Sequence, residues 1–154
     1  MTPCFSCEQV SRLAQLPVRD RVYVGHHWRI AHAWSALPGW LILISQRHLT
    51  HIGDLDEAEA AGLGQLLRCA SAALTTVVGC DKTYVIMYAE QPGFEHLHFH
   101  VVPRMADFDQ RHRASGVFDF LKRPESEWVP VEERDRLGTA IADELTRLGI
   151  RSTE

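Results

Sequence analysis

Between positions 95 and 104 the chain reads Glu95-His96-Leu97-His98-Phe99-His100-Val101-Val102-Pro103-Arg104, with a histidine at every second position from His96. The residues between them are apolar, the segment is rich in β-branched and aromatic side chains, and Pro103 is placed to stop it, so it reads as a strand. Alternate side chains of a strand share a face, which puts the three imidazoles on one side and Leu97, Phe99 and Val101 on the other. A helix would align His96 with His100 and turn His98 away. Imidazole has the unperturbed pKa nearest neutrality, and a row of three suits proton transfer, metal binding or nucleophilic attack. The competing readings are a polar row on a solvated strand face and a set of tautomer-paired core histidines. Three in strict alternation favour function.

A second group opens the chain. Cys4-Phe5-Ser6-Cys7 offers two thiolates at a spacing that makes half of a tetrahedral zinc site, and the other half has to come from elsewhere. A redox pair is the rival, but such pairs follow a strand in a βαβ unit, and only three residues precede Cys4. His48, in Gln46-Arg47-His48-Leu49, stands at the end of an apolar strand and could supply the third position. His32 shares a strand face with Trp28, Ile30 and Trp34. That face would suit the wall of a pocket for an aromatic ligand, and equally a packed core. His26 and His27 beside Gly25 read as turn residues, His112 as solvated surface, and Cys69 and Cys80 as packing residues without partners at metal spacing.

The elements that would position these groups are legible from hydrophobic periodicity. Glu8–Leu16 reads as a short helix with Ser6 as a possible N-cap and Pro17 as its stop. Arg21–Gly25, Trp28–Trp34 and the nearly all-apolar Trp40–Ile44 are candidate strands, with Pro38-Gly39 the turn between the last two. From Asp54 to Val78, Leu63, Leu66, Leu67, Ala70, Leu74, Val77 and Val78 form one apolar stripe of a long helix. Asp56 with Glu59 forms a capping-box pattern, and Gly79 ends the helix. Thr83–Ala89 is a further inner strand, hairpin-linked through Glu90–Phe94 to the histidine strand. Met105–Trp128 is irregular around the cluster Val117–Leu121. Pro130 opens a final helix carrying Leu137, Ile141, Leu145 and Leu148, closed by Gly149. The sum is an α+β chain: an antiparallel sheet of about five strands, a long packed helix and a C-terminal helix.

Length and composition bound the function classes. The 154 residues, 45% of them hydrophobic, suffice for one domain spanning 1–154 with a core that needs no staples. No run long enough to cross a bilayer is apparent, nor a basic segment followed by an apolar one of the export type. Four cysteines in that setting suggest a reducing, cytoplasmic compartment. A formal charge of −4 without a Lys/Arg block argues against a nucleic-acid surface. An anionic substrate would be held by local groups.

His96-Leu97-His98-Phe99-His100-Val101-Val102 matches the His-φ-His-φ-His-φ-φ motif of the histidine triad (HIT) superfamily. The likeness extends upstream through Cys4-x-x-Cys7, the Pro38–Ile44 strand and Arg47-His48, roughly the first two-thirds of the chain, so that region 105–154 would be a variable extension. The resemblance implies a HIT-like α+β fold, a homodimer, and hydrolysis or nucleotidyl transfer at the α-phosphate of a nucleotide conjugate such as a dinucleoside polyphosphate. Carried over by position, His98 is the nucleophile that forms a covalent nucleotidyl-histidine, and His100 contacts the phosphate oxygens beside it. In zinc-containing branches the set is Cys4, Cys7, His48 and His96, with a structural zinc that pins the N-terminus to the sheet.

The chain departs from the family pattern around the substrate. His32 falls where many relatives place a ribose-binding Asp or Asn, and Gly39-Trp40 where many have Gly-His. Gln91-Pro92-Gly93-Phe94-Glu95 replaces the usual Gly-Gln-Ser/Thr approach, whose polar side chains touch phosphate or leaving group. Nucleotide-binding candidates are His32, Trp34, Trp40, Tyr88, Gly93 in the loop, and Arg104, which would reach a distal phosphate or else form a surface salt bridge. Two other readings stay open: a metal-dependent hydrolase with His96 and His98 as catalytic ligands, and a nucleotide-binding regulator without turnover.

Overall fold

A computed structural model describes residues 4–153. Its centre is a five-stranded antiparallel sheet in the order β1-β2-β3-β5-β4. The strands are β1 (Tyr23–Val24), β2 (Trp28–His32), β3 (Leu41–Ser45), β4 (Lys82–Ile86) and β5 (His98–Arg104). The triad strand β5 thus lies inside the sheet, between β3 and β4. The helices are α1 (Phe5–Val10), α2 (Glu57–Val78) and α3 (Val131–Arg147).

The pleat divides the sheet by residue parity. Trp28 and Ile30 of β2, Leu41 and Leu43 of β3, and Phe99 and Val101 of β5 form one core with Leu63, Leu66, Ala70 and Leu74 of α2 and Leu137, Ile141 and Leu145 of α3. The intervening residues point the other way, so Arg29–Ile44–His98 and Ala31–Ile42–His100 run as rows across the opposite face. A smaller cluster of Ala33, Leu37, Trp40, Val102 and Val117, joined by Phe118, Phe120 and Leu121, covers part of that face. The irregular 105–128 stretch is therefore a cover over the triad side, built of short 3-10 turns such as Ala114–Phe120.

Local signals account for the long helix. Asp56 accepts from the Glu59 amide at 2.8 Å and Glu59 accepts from the Asp56 amide at 2.9 Å, a complete capping box. Such a cap stabilises a helix by about 1 kcal/mol. Gly79 closes α2 in the left-handed region, φ 70°. The buried Glu59 carboxylate also takes a bidentate pair from Arg47 at 3.0 and 2.7 Å, which ties the segment leading to His48 onto the start of α2. By length and composition alone α2 qualifies as a membrane span, contrary to the sequence expectation. Its apolar stripe packs on the sheet, and Gln65 and Arg68 lie exposed on its other side.

Several boundaries differ from expectation. α1 begins at Phe5 rather than Glu8, because Cys4 takes the extended N-cap position and leaves Ser6 buried in the first turn. It ends at Val10, and a separate 3-10 turn, Leu13–Gln15, fills the space before Pro17. β5 starts at His98, not His96: the Leu97 amide donates to the Leu49 carbonyl at 2.6 Å and the Ser45 amide to Leu97 at 3.1 Å, drawing residues 96–97 out of the ladder. Pro103 does not end the strand. It pairs with Thr83 beyond Val101, the last residue facing β3, where one side of the strand is free and a missing N–H is tolerated. Finally, His112 is not solvated: it packs on Phe120, with ring centroids 4.9 Å apart, and reaches Asp109 at 2.9 Å.

Candidate active site and metal centre

The departure of His96 from the ladder separates the three histidines by task. The Nε2 of His96 lies 2.7 Å from the Ser45 carbonyl oxygen. A carbonyl only accepts, so Nε2 carries the proton and Nδ1 keeps its lone pair. That lone pair faces the thiols: Nδ1 is 3.4 Å from Cys4 Sγ and 3.7 Å from Cys7 Sγ, while His48 Nδ1 is 3.3 Å from Cys7 Sγ. The donor atoms of Cys4, Cys7, His48 and His96 all lie within 4.8 Å of one another. Zn–S bonds of about 2.3 Å and Zn–N bonds of about 2.05 Å at a tetrahedral angle place sulfur and nitrogen about 3.6 Å apart. The observed separations bracket that value, and the donor set is the Cys2His2 type of structural zinc sites. Burial and then the neighbouring Cys4 raise the Cys7 thiol, a pressure against thiolate that a divalent cation reverses.

His98 and His100 remain on the sheet face with ring centroids 5.1 Å apart. His98 Nδ1 lies 2.7 Å from the His96 carbonyl oxygen, so Nδ1 carries the proton and the Nε2 lone pair is free. Burial lowers its pKa, opposed by that carbonyl, and the ring is neutral at neutral pH. For His100 the assignment is reversed. The Trp40 indole N–H, which can only donate, reaches His100 Nδ1 at 3.1 Å. Nε2 of His100 therefore holds the proton. Burial and the adjacent His98 depress His100 to about 4. A neutral donor and a lone pair stand side by side.

Both line a cavity of about 520 Å³. Its floor is Ala31, Ile42 and Ile44; Phe5, Ser6 and Gln9 of α1 make one wall, and Phe118, Leu121 and Trp128 of the cover make another. Phe118 packs edge-on to both His100 and Trp40, at 5.4 and 5.6 Å between centroids. Because the metal cluster flanks α1, it also holds a cavity wall. The Phe5 amide donates to the Gly93 carbonyl at 3.1 Å, joining that wall to the loop before the triad.

The other candidates from the sequence distribute unevenly. Trp34, 41% exposed, and Tyr88, 56% exposed, stand at the cavity rim. Trp40 is fully buried and orients His100 instead of meeting solvent. His32 is committed on both ring nitrogens: Nδ1 donates to the Ala33 carbonyl at 2.8 Å and Nε2 accepts from the Gly39 amide at 2.9 Å. It braces the β2–β3 turn, where Gly39 has φ +82°, and burial depresses its pKa to about 4. Gly93 serves the turn, at φ 85°, and lies outside the cavity lining. Arg104, at the far end of β5, pairs with Asp81 at 3.1 Å and does not reach the cavity. Sequence reasoning missed Arg29, Asp20 and Gln9, which line the cavity. The strand alternation of Arg29 with Trp28 and Ile30 could have found the first.

No family model matches the chain, and no curated protein matches it. Solved structures do. A hypothetical histidine triad nucleotide-binding protein from Sulfolobus tokodaii superposes with a TM-score of 0.70 at 19% identity, over 94% of this chain and 93% of the other. A zinc-bound histidine triad family protein from Mycobacterium smegmatis gives 0.67 at 21% identity, over 94% and 96%. The Plasmodium falciparum diadenosine triphosphate hydrolase, solved with cyclomarin A, gives 0.61 at 14% identity, over 86% and 80%. At these identities the likeness is one of architecture, and the chain has the α+β fold of histidine triad proteins.

Proposed function

We propose that the chain is a histidine triad enzyme that cleaves a nucleotide conjugate at its α-phosphate through a covalent nucleotidyl-His98 intermediate. The observation that carries this reading is the opposed pair of tautomers: His98 with a free Nε2 lone pair, His100 with an Nε2 proton, both on one cavity. In the first step His98 Nε2 attacks phosphorus in line, a P–N bond forms, and the leaving oxygen departs with the P–O electron pair. The ring's positive charge is spread toward Nδ1–H, where the His96 carbonyl accepts. His100 Nε2–H donates to a non-bridging oxygen as charge builds there. Water then attacks phosphorus, the P–N pair returns to Nε2, and the water's proton leaves to solvent.

A zinc ion on Cys4, Cys7, His48 and His96 supplies structure: it joins the N-terminus to the entry of β5. That cluster takes His96 and not His98, which favours the covalent route over a catalytic metal on both. Fold relatives described as zinc-bound and as nucleotide-binding support a zinc and a nucleotide ligand for this chain; the homodimer and the cytoplasmic location rest on the sequence alone.

The test is a turnover screen over dinucleoside polyphosphates, nucleoside phosphoramidates and nucleotide sugars, with metal content measured in parallel. Release of nucleoside monophosphate that His98→Ala abolishes while zinc stays at one per chain supports the reading. Loss of zinc in His98→Ala, or tight nucleotide binding with no turnover of any substrate, contradicts it.

A further inference from the structure

The triad occupies one end of the cavity, and the other end carries polar groups that the reaction above does not use. Arg29 belongs to the same cross-sheet row as His98, separated from it by Ile44. Two strand spacings put their backbones about 10 Å apart. Arg29 is only 2% exposed, yet its side chain lines the cavity. Its Nη1 donates to the Asp20 backbone carbonyl at 2.8 Å, while Nε has no partner among the described residues. Asp20, half-buried, lines the cavity beside it, and its carboxylate makes no side-chain hydrogen bond or ion pair among the described residues. Burial raises Asp20, offset first by the charge of Arg19 and then by those of Arg29 and Arg134; burial lowers Arg29, partly offset by Asp20. Gln9, 5% exposed, completes the end wall from α1.

A buried guanidinium with an unpartnered Nε and a half-buried carboxylate at one end of a cavity both call for hydrogen-bond partners, one an acceptor and the other a donor. Between this end and the triad lies an apolar floor of Ala31 and Ile44, under Phe5. A flat heteroaromatic ring fits such a slot if its edge offers acceptors to Arg29 and N–H donors to Asp20. A 6-oxopurine has that edge: O6 and N7 accept from arginine, and N1–H, with the 2-amino group in guanine, donates to a carboxylate. Adenine presents an N6 amino donor toward the arginine and an unprotonated N1 toward the carboxylate, the wrong sense at both.

We propose that Arg29 and Asp20 make this site selective for 6-oxopurine nucleotides, guanine above all, over adenine nucleotides. The proposal rests on the reading that His98 takes a nucleotide, and binding alone can separate the two. Titration calorimetry of the zinc-loaded protein with GMP, IMP, AMP and UMP, repeated with Asp20→Asn, tests it. The expected result is GMP at least about tenfold tighter than AMP, IMP between them, and the GMP preference collapsing in Asp20→Asn, whose thermal unfolding stays that of the parent. Equal affinities, an AMP preference, or a GMP preference that survives Asp20→Asn overturns the assignment and leaves the nucleotide reading standing. No binding by any of the four overturns both.

Discussion

At the level of single residues, function depends on which ring nitrogen holds a proton, and here each key imidazole has a partner that can play one part only. Trp40 matters for that reason and not as a pocket surface. Trp40→Phe keeps the apolar packing against Phe118 and removes the donor to His100 Nδ1. His100 is then free to carry its proton on either nitrogen, and kcat should fall about 10- to 100-fold, the usual cost of losing an orienting partner. Nucleoside monophosphate affinity should hold. A variant that loses binding and keeps kcat would show that Trp40 touches substrate after all. His32 gives a second prediction at this scale. Its folded pKa, about 4, lies below the unfolded value of 6.5. The unfolded chain therefore binds the proton first, and the stability this ring contributes is full above pH 6.5 and lost as pH falls through 6.5 toward 4. Between pH 7.5 and 5 the linkage amounts to about 2 kcal/mol. Denaturant unfolding at both pH values should show His32→Gln losing less stability than the parent, and equal losses would refute the assignment. None of these tautomers was legible in the sequence: the Trp40 indole, the Gly39 amide and the Ser45 carbonyl are brought in from another strand or turn, and the neighbouring carbonyls of His96 and Ala33 become partners only through the ring orientation the fold sets. The alternation of the histidines was legible, because a strand's two-residue period states it directly.

Elements couple the two chemical groups. α1 is a helix of six residues whose flanking and internal cysteines join the metal cluster and whose Phe5, Ser6 and Gln9 wall the cavity. A helix this short has little stability of its own, so metal ligation and the Phe5–Gly93 bond hold it. Stripping the metal with a chelator, or Cys7→Ser, should lower Tm by at least about 5 °C. It should also weaken nucleotide binding although neither cysteine lines the cavity. Calorimetry before and after zinc restoration checks this, and unchanged affinity in the metal-free protein would uncouple wall from cluster. The sequence marked the long helices well, with the capping box at Asp56 and the stops at Gly79 and Gly149 where the chain places them. Short elements were less legible. α1, β1 and the start of β5 are fixed by contacts with distant segments: the Ser45–Leu49 stretch determines where β5 begins, and nothing local to His96 announces it.

Across the whole molecule, the sheet separates a dry core from the face that carries His98 and His100, and one edge stays open. β4 is that edge, with Val85 48% exposed on it. The expected homodimer would cover an edge of this kind. Sedimentation of the parent should give a dimer, and Val85→Arg should shift it toward monomer; a monomeric parent would end that expectation. The cover over the triad comes from 105–128, the part of the chain least readable beforehand, because its 3-10 turns carry no hydrophobic period and take their shape from Trp40 and the sheet. Fold and triad could be read ahead; the far end of the cavity could not, since Arg29 and Asp20 meet only when β2 and the turn before β1 are folded together. The most direct test of the central claim is intact-mass spectrometry of the zinc-loaded protein, quenched within the first turnover of adenosine and guanosine phosphoramidates and dinucleoside polyphosphates. The account predicts one added nucleotidyl group, labile to acid, mapped to His98 and missing from His98→Ala. Turnover with no such adduct, or an adduct that persists in His98→Ala, would contradict it.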